Sequence, residues 1–185
     1  KGDKRSFTLR SKGKVVSITA EAVHVDATAA YWLDRTTKPL ADIDATSMQE
    51  LSAGFSTIIV PRLRTYYGKE SDVDGDGTIS VLFSPLVADS ATAYFSPCDL
   101  VDPKLVPGCS AGNNMELLYV SPPNLLKPPM NTSRALLETV AHEFQHAIYF
   151  HRKYVRNNTV GTAVENPYIT EGLSHMAQDL SGYQA

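Results

Sequence analysis

Apolar and polar side chains partly alternate from Val15 through Val16, Ile18, Ala20, Ala22, Val23 and Val25 to Asp26. That is the period of a strand with one buried face. Over residues 46–67 the period lengthens, and Met48, Leu51, Phe55, Ile58, Ile59 and Leu63 recur at helical spacing. Pro61 predicts a kink within this helix and Gly68 its C-terminal stop. The β-branched run Thr78-Ile79-Ser80-Val81-Leu82-Phe83 predicts a second strand, Ala91-Thr92-Ala93-Tyr94-Phe95 a shorter one, and Met115-Glu116-Leu117-Leu118-Tyr119-Val120 another. The prolines from Pro122 to Pro129 exclude regular structure there. Helical signals resume behind the capping residues Asn131-Thr132-Ser133 and run to about Tyr154. A polar loop over 156–167 then leads to a last helix starting near Thr170, with Leu173, Met176, Ala177 and Leu180 apolar.

This order of strand, helix, strands, helix and helix predicts an α+β fold. Its 185 residues suit a single domain, 1–185, with a real core. A net charge of −3 with no basic stripe argues against nucleic acid as a partner. No apolar stretch reaches membrane-spanning length. Cys98 and Cys109 flank a loop containing Pro103, Pro107 and Gly108 and lack a C-x-x-C pattern, which favours a disulfide over a metal site. Such a bond implies an oxidising, extracytoplasmic location, secreted or at the cell surface.

Within the apolar run from Leu136 to Phe150 stands His142-Glu143-Phe144-Gln145-His146, an H-E-x-x-H motif. Four residues apart on a helix, both imidazoles leave the same face one turn from each other. They can then share one Zn²⁺, with Glu143 beside the metal to act on its bound water. The bland alternative, a helix with two surface histidines, leaves unexplained why polar groups interrupt an otherwise apolar helix.

A catalytic zinc needs a third protein ligand and an open position for water. Metzincins supply a histidine six residues after the second, but that position holds Arg152, and Tyr149 stands where they carry glycine. His151 misses by one residue, and five helical residues rotate it about 140° off the ligand face. Glu171, in Ile169-Thr170-Glu171-Gly172-Leu173-Ser174-His175, is the better candidate. It is expected in the first turn of the next helix, where the dipole favours a carboxylate. Glu165 competes from the preceding loop.

The residues His142 to His146 together with Glu171-Gly172-Leu173-Ser174 resemble the gluzincin metallopeptidases, and most closely their hyicolysin-type branch. The likeness in element order extends over most of the chain, although the specific motifs cover only about ten residues. The resemblance implies a zincin-like fold: a mixed sheet packed on a kinked helix and an active-site helix, followed by a ligand-bearing helix. It implies that His142, His146 and Glu171 ligate Zn²⁺ and that Glu143 is the general base of a peptidase. Thr170 and His175 depart from that pattern, standing where asparagine and aspartate are common. The chain also continues only fourteen residues past Glu171, which suggests either a compact member or a piece lacking a C-terminal helical subdomain.

Peptide hydrolysis also needs a donor for the developing oxyanion. His175, Tyr168, Tyr154 and Tyr149 are candidates, and His175, one turn after Glu171, could instead orient the site. The strand Ala91–Phe95 is a candidate to align an extended substrate. Separately, Asp72-Val73-Asp74-Gly75-Asp76-Gly77-Thr78-Ile79-Ser80 copies the first half of an EF-hand loop. Phe83 occupies the position of the bidentate carboxylate, so a full EF-hand is rejected. A partial Ca²⁺ loop through Asp72, Asp74 and Asp76 and a metal-free turn both stay open.

The leading reading is a monomeric zinc endopeptidase acting on peptide or protein substrates. The second is a non-catalytic zinc-binding interaction module, or an incomplete peptidase fragment. A Ca²⁺-dependent adhesion domain rests on the half EF-hand alone.

Overall fold

The structure, a computed structural model, describes residues 1–102, 104, 109, 111–157, 159 and 166–183. A mixed six-stranded sheet runs in the order β1-β2-β3-β4-β6-β5. Its strands are β1 (Lys4–Ser11), β2 (Lys14–Val25), β3 (Ala29–Asp34), β4 (Ile79–Phe83), β5 (Ala93–Phe95) and β6 (Leu117–Val120). β1, β2 and β3 pair antiparallel, β4 lies parallel between β3 and β6, and β5 closes one edge antiparallel to β6.

Two of these strands lie outside the sequence expectations. β3 is buried along its whole length, so it lacks the alternation that marks a half-solvated strand. β1 is mostly polar, with Phe7 and Leu9 as its two core residues. The strands expected over 91–95 and 115–120 are each two residues shorter, and Glu116 falls just before β6 rather than within it.

The helix expected to kink at Pro61 is built differently. α1 (Ala45–Gly54) passes into a π-helical turn, Phe55–Ile59, and only then into α2 (Val60–Tyr67), which Pro61 opens. A proline in the first turn of a helical segment gives up no hydrogen bond that the segment needs. Gly54 marks a close approach: a Cβ there would meet Leu137 Cδ2 at 2.7 Å and Tyr183 Oη at 2.8 Å. Asp44 caps α1 by accepting from Ser47 N–H at 2.9 Å, and Gly68 ends α2 at φ 89°, as expected. A short helix, α3 (Pro85–Ala88), follows β4, and a 3₁₀ turn, Pro123–Leu125, interrupts the proline-rich stretch.

α4 (Ser133–Phe150) is capped by Thr132, whose hydroxyl accepts from Ala135 N–H at 3.3 Å. It continues into a second π-helical turn, His151–Val155, instead of running on as α-helix. α5 (Pro167–Ser181) starts three residues before the expected Thr170, with Asn166 as its cap and Pro167 as its first residue. Glu171 is therefore in the second turn, so the helix-dipole argument for it loses most of its force.

The sheet divides the interior. On one face Tyr31, Val81, Phe83, Leu118 and Val120 pack against Leu51, Phe55 and Ile59 of the first helical pair and Leu136, Val140 and Phe144 of α4. Phe55 and Phe144 meet edge to face at 5.5 Å, an arrangement that adds about 0.5–1.5 kcal/mol to their burial. On the other face Phe7, Leu9, Ile18, Trp32, Leu82 and Tyr119 form a smaller core. Cys98 and Cys109 are joined by a disulfide. Among the described residues no helix is long and apolar enough to cross a membrane.

Candidate metal centre and active site

α4 lays its apolar stripe on the sheet, which leaves His142 and His146 at the edge of that stripe, facing α5. Their Nε2 atoms are 3.2 Å apart. Glu171 of α5 completes the group: its Oε2 is 3.1 Å from His142 Nε2 and its Oε1 is 3.5 Å from His146 Nε2. The ligand atoms of His142, His146 and Glu171 all lie within 4.8 Å of one another. Two nitrogens and a carboxylate oxygen aimed at one point, with one side open, fit the donor set of a catalytic Zn²⁺.

The surroundings favour the ligating state of the imidazoles. Burial depresses the pKa of His146 to about 4 despite the neighbouring Glu171, and burial lowers that of His142 as well. Both rings are therefore neutral near pH 7, as metal binding requires. Ser174, fully buried on α5, has its Oγ 2.6 Å from Gln145 Oε1 and 3.1 Å from the Thr170 carbonyl, and the same oxygen lies 3.1 Å from His146 Nδ1 and 3.3 Å from its Nε2. The hydroxyl thus packs against the edge of the His146 ring and limits its rotation. From sequence, His175 is a candidate oxyanion donor or, as the alternative, an orienting residue, whereas Ser174, three residues after Glu171 on the same helical face, is not singled out.

Glu143 is 8% exposed, and its carboxylate lies beside the Phe95 N–H of β5. Burial pushes its pKa up to about 7, partly opposed by that amide. A carboxyl poised near neutrality suits proton exchange with water.

The oxyanion candidates separate. His175 is exposed, its ring 5.1 Å from that of His142, and its Nδ1 is 2.8 Å from Gln178 Oε1. With Nδ1 as donor to Gln178, Nε2 can donate only when the ring is protonated. Tyr168 is 85% exposed in the first turn of α5. Tyr154 is buried, and Tyr149 is half-buried with its ring 6.4 Å from that of Tyr154. His151 is outside the ligand group, as its rotation on the helix predicts, and Glu165 lies outside the described residues.

α5 is tied down away from the ligands. Tyr67 Oη donates to the Leu173 carbonyl at 3.2 Å, and Arg62 Nη1 donates to the Ser181 carbonyl at 3.0 Å. Both tethers come from α2.

In the aspartate-rich loop all three carboxylates accept from the loop itself. Asp76 Oδ1 accepts from Thr78 N–H at 2.7 Å and Thr78 Oγ1 at 2.8 Å, Asp72 Oδ1 from Gly77 N–H at 3.1 Å, and Asp74 Oδ1 from Asp76 N–H at 3.4 Å. Oxygens of Asp72 and Asp74, but not of Asp76, also lie within 4.8 Å of one another and of Glu116, a residue expected from sequence only as part of a strand. Burial raises the Glu116 pKa, and the hydrogen bond from Val73 N–H holds it down in part.

No family model matches the chain. Among curated proteins it is similar to a neutral metalloprotease, ShpI, of Staphylococcus hyicus: 28% identical over 198 residues. The similarity takes in 94% of this chain and 42% of that protein, so the chain spans less than half the length of the relative it matches.

Proposed function

We propose that the chain is the catalytic portion of a zinc-dependent endopeptidase of gluzincin, hyicolysin-like type, with a zincin-like fold in a single domain. The observation that carries this reading is the convergence of His142 Nε2, His146 Nε2 and Glu171 on one point, beside a buried carboxyl at Glu143. Similarity to a protein named as a neutral metalloprotease supports metallopeptidase activity. The disulfide suits an extracytoplasmic location.

A zinc ion held by these three residues supplies Lewis-acid polarisation of the scissile carbonyl and acidifies the attacking water. The chain's own residues do the rest. Ser174, held by Gln145, packs against the His146 ring and limits its rotation beside the centre. Glu143 takes a proton from the attacking water and returns it to the leaving amine nitrogen. Its raised pKa keeps both directions of transfer near balance.

β5 is a sheet edge, and its Phe95 amide lies beside Glu143. An extended peptide added along this edge by backbone hydrogen bonds would bring its scissile bond past the general base. Of the oxyanion candidates, the two on α5 are His175 and Tyr168, and His175 adjoins the centre through its ring contact with His142. Tyr168, at the start of α5, could serve only by closing over a bound substrate.

The test pairs elemental analysis with casein cleavage. Purified protein is expected to carry one zinc per chain and to cleave casein in a manner abolished by phenanthroline. Zinc without any cleavage by the full-length protein would favour a non-catalytic zinc-binding module. Absence of bound metal would defeat both readings.

A further inference from the structure

The loop 72–76 leads into β4, and Glu116 immediately precedes β6, the parallel neighbour of β4. A ladder hydrogen bond, Ser80 N–H to the Glu116 carbonyl at 2.7 Å, fixes the two chain segments side by side. The oxygens of Asp72, Asp74 and Glu116 thereby come within 4.8 Å of one another. Glu116 is 2% exposed, and its carboxylate accepts from Val73 N–H at 3.1 and 3.3 Å. Among the described residues none of the three carboxylates forms a salt bridge with a lysine or arginine. Burying an anion without a countercharge is costly.

A second observation points the same way. Ser71 is 8% exposed, and its Oγ is buried against the Glu116 carboxylate without closing a hydrogen bond to any group. A buried hydroxyl left in this state calls for a partner.

We propose that Asp72, Asp74 and Glu116 bind one calcium ion, with the Ser71 hydroxyl facing it. The donors are all oxygen, which selects a hard cation over zinc. Their irregular placement suits Ca²⁺, which accepts varied geometry, better than Mg²⁺, which demands a near-ideal octahedron. This ligand set differs from the half EF-hand legible in sequence. Asp76 belongs to its own turn, and the carboxylate that Phe83 fails to supply comes from Glu116, on a neighbouring strand end. Bound there, calcium would pin the entry of β4 to the entry of β6.

Calorimetric titration of CaCl₂ into the zinc-loaded chain, in chelator-free buffer, tests this. Wild type is expected to take up one equivalent with a Kd between about 10⁻⁵ and 10⁻³ M, and to bind MgCl₂ at least about tenfold more weakly. Asp74→Asn and Glu116→Gln should each weaken calcium binding about tenfold or more, whereas Asp76→Asn should stay within about threefold. Asp74 is partly exposed, so Asp74→Asn decides the matter should Glu116→Gln not fold. Absence of saturable binding to wild type at about 10 mM CaCl₂ would overturn the site. Unchanged affinity in Asp74→Asn would do the same, and an Asp76→Asn loss equal to that of Asp74→Asn would overturn this ligand set.

Discussion

The two ligand clusters contrast in how they are assembled. His142 and His146 come from a single helical turn, and only Glu171 has to be brought from another element. In the aspartate-rich cluster the deciding group is Glu116, which lies far along the chain from Asp72 and Asp74 and is buried beside them by strand pairing. The first cluster mixes nitrogen and oxygen and stays open to solvent on one side. The second is all oxygen and is rooted in a residue that is 2% exposed. Local spacing announces a centre of the first kind, while only tertiary structure discloses the second.

Chemistry distinguishes them most sharply. Glu143→Gln keeps the shape of the buried carboxyl and removes its proton exchange. Hydrolysis is expected to fall about 10²–10⁴-fold with zinc content unchanged. A variant with normal turnover would take Glu143 out of the proposed mechanism. Next in size, Glu171→Ala should weaken zinc binding by more than the roughly 10–100-fold typical of an outer partner, measured by competition with a chromophoric chelator. Unaltered zinc stoichiometry would move the third ligand elsewhere, with Glu165 as the first candidate.

Asp99 provides a contrast to Glu116. It is 1% exposed, but it accepts from Asn113 N–H, Asn113 Nδ2 and Tyr119 Oη, each at 2.8 Å. Protein donors satisfy it, so its stability should answer to pH and not to metal. Burial pushes its pKa from 3.8 up to about 6, because the remaining desolvation outweighs those three bonds. With the folded value above the unfolded one, its contribution is full below about pH 4 and is lost as pH rises through about 6, a change of about 2–3 kcal/mol. Denaturant midpoints taken across this window should fall less steeply with pH in Asp99→Asn than in wild type, the remaining slope belonging to groups such as Glu143.

The smallest effect expected at the zinc cluster is that of Ser174→Ala. Zinc affinity should drop about 10–100-fold as the His146 ring loses its orienting hydroxyl, while far-UV circular dichroism stays as in wild type. Equal affinity in the two proteins would leave Ser174 as packing only.

How much of this could be read in advance depends on range. The H-E-x-x-H pair, the ends of the first helical pair and strands β2 and β4 follow from period and capping, which act over a few residues. β3 escaped because a strand buried along its whole length has no alternation to detect. The π-helical turn Phe55–Ile59 escaped for a different reason: Pro61 signals a break in the ladder, but a kink and a widened turn carry the same residues. α5 begins three residues before its expected start because Pro167, which suits the end of a loop equally well, opens the helix. Ser174 and Glu116 are ordinary in sequence and acquire meaning only from Gln145 and Val73, their partners across the fold.

The tethers from α2 to α5 have a consequence for recognising such proteins. Arg62 and Tyr67 hold the carbonyls of Ser181 and Leu173, so the helix bearing Glu171 takes its position from the body of the molecule instead of from the segment joining it to α4. A change in the length of that connector is therefore expected to leave the third donor in place. A search demanding a set gap after the second histidine would miss any relative whose connector differs in length.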